Sequence, residues 1–169
     1  LLGLQNLRGL DTLQAGLALT IGSLGWSFGS WLQARIRLRR DRIITAGTCF
    51  VAFGMAGITV FLTWTGMPLW IGVAAWTLAG CGMGLTVSST AVATMALSGP
   101  REQGRNSGAL LVAESIGSSV MTALTGACYA VLLAEEVPAF GWIFLMLLAA
   151  SVLAIAASLR IGPVHDVAG

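Results

Sequence analysis

The amino-acid sequence predicts an all-α membrane protein with five transmembrane helices. Three observations carry that prediction: a composition too apolar for water, five long runs almost free of charge, and arginines gathered on one side. Of 169 residues, 56% are hydrophobic and 9% are charged, whereas a soluble domain carries about 25% charged residues. A soluble fold of about this size still leaves roughly 30% of its unfolded-chain surface in water. This chain lacks the polar groups to cover that surface, so its solvent is lipid. A soluble enzyme, a nucleic-acid module and a disordered linker are all disfavoured on that ground.

A helix that crosses the hydrocarbon core needs about 20 mainly apolar residues, each rising about 1.5 Å. Cutting the sequence at its charges leaves runs at about 13–34, 43–65, 69–97, 108–134 and 137–159. The first carries Gly22, Gly25 and Gly29 on one helical face, with Gly25 and Gly29 in a close-packing pattern. The second is apolar apart from scattered Gly and Thr. The third holds Gly80-Cys-Gly-Met-Gly84, followed by Thr86, Ser88, Ser89, Thr90 and Thr94. The fourth holds Glu114, Ser115, Gly117, Ser118, Ser119, Thr122 and Thr125, while the fifth is bulky and apolar throughout. A helix in lipid can be apolar all round, whereas small and polar groups mark packing faces and cavities. The first, third and fourth runs are therefore expected to line the interior, and the second and fifth to lie at the periphery. Gly25, Gly29, Gly80, Gly84, Ser88, Ser89, Ser115 and Ser118 are candidates for cavity lining or for tight helix packing. Pro68, Pro100 and Pro138 fall at span starts or in loops, where a missing N–H costs little.

Arg35, Arg37, Arg39, Arg40 and Arg42, with Asp41, lie between the first two runs. Arg101 and Arg105 lie between the third and fourth, and Arg160 follows the fifth. Short connections make successive helices antiparallel, which puts these eight arginines on one side and only Arg8 on the other. The positive-inside bias makes the first side cytoplasmic, with the N-terminus outside and the C-terminus cytoplasmic. Asp11, Glu135 and Glu136 then face outward. Residues 1–4 lack a basic region or cleavage pattern and read as the end of a preceding helix, so the chain is expected to be a fragment. The basic run Arg35 to Arg42 reads as an anchor to anionic lipid, at about 1 kcal/mol per residue near the surface. Nucleic acid is not an expected partner.

Glu114 is the only ionisable acid or base inside a run, roughly 9 Å in from the start of the fourth. An ionised carboxylate there costs on the order of 2.5–3.5 kcal/mol on insertion scales. A proton or a cation offsets that cost, which makes Glu114 a candidate for proton coupling or cation binding. The alternative is a neutral Glu114 hydrogen-bonded to Ser118 one turn on, or to a neighbouring helix. His165 lies beyond the last run, and Cys49, Cys81 and Cys128 form no CxxC pattern, which reads as small apolar filler. Gly80-x-Gly-x-Gly84 lacks the strand and Lys of a phosphate loop. No catalytic residue, metal or cofactor is expected, and an enzyme is disfavoured.

With the runs placed, Gly29-Ser-Trp-Leu-Gln-Ala-Arg-Ile-Arg-Leu-Arg-Arg-Asp-Arg-Ile resembles the second-half copy of the Gly- and Arg-rich cytoplasmic loop of the major facilitator superfamily. Leu78-Ala-Gly-Cys-Gly-Met-Gly-Leu, Gln103-Gly-Arg-Asn-Ser-Gly-Ala-Leu and Ala113-Glu-Ser-Ile-Gly-Ser-Ser resemble its penultimate helix pair, and residues 4–19 resemble an outer turn between helices. The whole chain is similar to the C-terminal half of drug/proton antiporter-like members from high-GC bacteria. That resemblance implies most of a six-helix bundle, with the five runs as helices 8 to 12 of a twelve-helix transporter or a shifted count in one of fourteen. It also implies a bacterial inner-membrane location, a missing N-terminal half as partner, a small-molecule substrate and a proton as coupling ion. One position departs from the pattern: the loop acid expected four residues after Gly29 is Gln33. A membrane scaffold and a self-assembling small channel are the rival expectations.

Overall fold

The computed structural model describes residues 11–64, 66–134 and 139–164. Arg8, Glu135, Glu136, Pro138 and His165 lie outside the described residues, as does most of the expected outer turn. The described chain is five α-helices: α1 (Thr12–Arg35), α2 (Arg40–Thr63), α3 (Leu69–Ala96), α4 (Gln103–Ala134) and α5 (Ala139–Ser158). Four of them, α2 to α5, are long and apolar enough to cross a membrane. The expected fifth span, α1, has the length, at 24 residues or about 36 Å. Its composition falls short, because Gln14, Gln33, four glycines and five hydroxyl side chains dilute its apolar residues.

Charges do not end the helices as expected. Helix α2 starts at Arg40, so Arg40, Asp41 and Arg42 form its first turn instead of a loop, and Arg105 likewise lies inside α4. The reason is that a helix can continue past its apolar stretch once its charges are satisfied: Arg42 and Arg105 are exposed, and the buried Arg40 finds acceptors on Gln33. Asp41 in the first turn of α2 also complements the positive end of the helix dipole. At the start of α1, the Asp11 N–H donates to Gln14 Oε1 at 3.4 Å.

Helix α3 is the centre of the packing, because it carries small residues on two faces. Toward α1, a Cβ placed on Gly80 would lie 2.6 Å from the Gly22 carbonyl oxygen, and one on Gly84 would lie 2.7 Å from the Ser30 nitrogen. Gly25 and Gly29 meet the backbone of Thr77 and Cys81 in the same seam. Toward α2, a Cβ on Gly54 would lie 2.6 Å from Ala79 N, and one on Gly82 the same distance from Val51 N. Such backbone-to-backbone approach at small residues is the packing by which helices associate where no hydrophobic drive acts between them.

The layout differs from the expected interior and periphery. Helix α2 packs between α3 and α5 and is buried at intervals from Arg40 to Leu62, whereas α4 has no buried residue. In α2, Gly47, Gly54 and Gly57, at seven- and three-residue steps, are the places where α3 comes close. Large apolar side chains such as Leu111, Ile116, Leu124 and Leu153 stand exposed, as expected of a surface solvated by lipid.

Candidate functional site

All five helices contribute to a half-enclosed cavity of about 750 Å³, within the range of about 300–1,000 Å³ for small-molecule sites. It lies at the end of the bundle away from the arginines. Phe61 and Leu62 come from the last turns of α2, Gly72 and Trp76 from the first turns of α3, and Phe140 and Ile143 from the start of α5. Helix α1 adds Ala18 and Leu19, and α4 adds Met121, Thr122, Thr125, Gly126 and Tyr129. No lining residue is charged. Thr125 Oγ1 donates to Met121 O at 2.6 Å, and the Tyr129 ring tilts against Phe140 with centroids 5.6 Å apart. Such a wall favours an uncharged or weakly polar lipophilic solute, since burial of apolar area is the main attraction it offers.

Two of the walls depend on glycine. The Phe61 ring lies where a Gly72 side chain would be, 2.7 Å from an added Cβ, and the Trp76 indole occupies the space beside Gly22. Each glycine makes room on one helix for an aromatic ring from another. Phe61, Trp76, Tyr129 and Phe140 were not legible as site residues, because a large apolar side chain in an apolar run looks the same facing lipid or cavity. The nearest signal is Tyr129, the only tyrosine in the chain.

Helical phase ties Glu114 to this cavity. Glu114, Ser118, Met121, Thr125 and Tyr129 recur at three- and four-residue steps and so share one stripe of α4. The last three line the cavity, which places Glu114 roughly 10 Å closer to the arginine end on the same stripe. Val112, Ile116, Val120 and Leu124 occupy the opposite side, all exposed. Glu114, Ser115 and Ser118 are also exposed. The expected Ser118 support for Glu114 is absent: Ser118 Oγ donates to Ser115 O at 3.0 Å. A serine in a helix always has the carbonyl of the preceding turn within reach, and here that acceptor wins.

The remaining polar candidates fall into two groups. Within the α1–α3 seam, Ser88 Oγ donates to Ser30 Oγ at 3.2 Å; Ser89, on the face of α3 turned toward α2, is fully buried. Gly25, Gly29, Gly80 and Gly84 belong to this seam and not to the cavity lining. At the arginine end, Arg39 grips Asp41 with two bonds, at 2.9 and 3.1 Å. The buried Arg40 guanidinium donates to Gln33 Oε1 at 2.6 Å and Gln33 O at 3.3 Å. The neutral amide at the position of the expected loop acid thus still accepts from an arginine. Arg35 stacks 4.2 Å over the Trp31 ring, a cation–π contact, and Arg105 pairs with Glu102 at 2.9 Å. Arg37, Arg42 and Arg101 are exposed. The chain matches no protein-family model and no curated protein.

Proposed function

We propose that this chain forms one helical bundle of a major-facilitator-type secondary transporter, exporting small lipophilic molecules across the bacterial inner membrane in exchange for protons. The observation that carries the proposal is the apolar cavity of about 750 Å³ built by all five helices, with Glu114 on the cavity-facing stripe of α4. Burying an apolar solute there is worth about 25 cal/mol per Å² of its surface, and no lining charge has to be neutralised. Glu114 is the proposed site of proton exchange, being the one carboxyl within an apolar run and lying on the stripe that reaches the cavity. The second bundle would meet α4, whose polar stripe has no buried residue, and rocking of the two bundles would alternate access.

The rival scaffold reading rested on the glycine faces, and those faces are taken up within the chain, between α3 and its neighbours α1 and α2. That observation favours transport. The test is energy-dependent accumulation of a fluorescent lipophilic compound in everted membrane vesicles carrying the full-length protein. The expected result is accumulation that collapses with the proton gradient and is lost in Glu114→Gln at equal expression. Gradient-driven accumulation unchanged in Glu114→Gln would refute the coupling role.

A further inference from the structure

Immediately after α5 the chain turns back over the arginine end, and residue 164 is fixed there in three ways. The Val164 side chain, 4% exposed, packs on Ile44 of α2 and Ala93 of α3. Its N–H donates to Asp41 Oδ1 at 3.2 Å, and its carbonyl accepts from the Arg40 N–H at 3.0 Å. Asp41 is itself oriented by the two bonds from Arg39. A residue of no regular secondary structure is thus held through its side chain and through both of its backbone polar groups.

Beneath this contact lies an unusual pair of side chains. Ser89 is one helical turn before Ala93 on the same face of α3; it is 0% exposed, and its hydroxyl has no hydrogen-bond partner among the described residues. Thr86 Oγ1, about one further turn in, is also buried without a partner. Buried polar groups are almost always paired, and an unpaired one calls for an explanation. Water would satisfy both hydroxyls, and Val164 stands between them and the aqueous end of the bundle. Closure of the strap therefore keeps the seam dry through apolar contact, while the two unpartnered hydroxyls favour opening. Opposed preferences of this kind are what a two-state element requires.

We infer that residues 162–164 form a removable strap that covers the α2–α3 seam above two buried hydroxyls, and that its release admits water to Ser89 and Thr86. The strap works on the interior of the bundle from the arginine end, remote from the apolar cavity, and does not depend on what the cavity carries. Its function is control: with the strap seated the α2–α3 interior is sealed, and with the strap lifted that interior is hydrated and free to shift.

The experiment uses the full-length protein with Cys49, Cys81 and Cys128 replaced by Ala and Ser89→Cys introduced, in membranes opened to reagent on both faces. Labelling by a membrane-impermeant maleimide should be slow with the strap intact. Val164→Asp and Asp41→Asn remove different anchors, and each should accelerate labelling at least tenfold. A parallel chain that keeps Cys81 and Ser89 reports on the rest of the α3 packing, and Cys81 should stay unreactive in both variants. Equal labelling at residue 89 with and without either change would overturn the inference. So would reactivity of Cys81 rising in step with residue 89, since that outcome means general loosening and no local cap.

Discussion

Replacing Gly80 with Ala adds one methyl group to the α1–α3 seam and asks whether the packing described above is what holds the bundle together. The new Cβ would lie 2.6 Å from the Gly22 carbonyl oxygen, 0.8 Å inside the 3.4 Å at which ordinary contact begins. The obstructing atom is backbone, so no rotamer change relieves the clash and the two helices must separate. A gap of 0.5–1 Å forfeits roughly a quarter to a half of the dispersion energy of each atom pair across it. Overpacking of this kind costs about 1–3 kcal/mol. Gly117 in α4 is the matched control, because nothing lies within 4 Å of a Cβ placed there. Ala at that site gains about 0.5–1 kcal/mol of helix stability. Since both sites lie inside helices and gain this equally, the two variants should differ by about 1–3 kcal/mol in SDS-driven unfolding from mixed micelles, followed by circular dichroism, with Gly80→Ala the weaker. Equal stability of the two would refute the claim that backbone contact along α3 organises the fold.

Other outcomes follow from the cavity walls. Phe61 is 1% exposed against Gly72, so Phe61→Ala should lower unfolding free energy by about 3–5 kcal/mol in the same titration. Gly126 lines the cavity from α4 with open space at its Cβ. Gly126→Trp should therefore fill the site, raising the half-saturating concentration of a lipophilic probe at least tenfold in equilibrium binding while leaving the unfolding midpoint unchanged.

The class of the fold, long apolar helices, was legible in the sequence, and most helix ends lay within a few residues of the charges that bracket them. The starts of α2 and α4 were missed, because Arg40 to Arg42 and Gln103 to Ser107 are polar yet helical. Hydropathy marks the edge of lipid, not the edge of a helix. The glycine pattern of α1 and α3 was readable as a close-packing face, since spacing along one helix is a property of sequence. Which partner each face meets was not, and so α2, although Gly47, Gly54 and Gly57 recur at seven- and three-residue steps on one side, was expected outside while it in fact packs on α3. The cavity was least legible, since it arises from Phe61 against Gly72 and Trp76 against Gly22, contacts between different helices that spacing along one helix does not reveal. Glu114 stood out as the lone carboxyl within a run, but its shared stripe with Met121, Thr125 and Tyr129 gained meaning only when those residues were seen to line a cavity.

Coupled exchange is the central claim, and proton movement driven by solute tests it most directly. Full-length protein is reconstituted into liposomes holding a pH-sensitive dye, with no imposed pH gradient, and a lipophilic substrate is added outside. Inward solute flow through a coupled exchanger must expel protons, so the interior should become more alkaline with the wild-type protein and stay unchanged with Glu114→Gln. Solute entry through the wild-type protein with no change in interior pH would contradict the account.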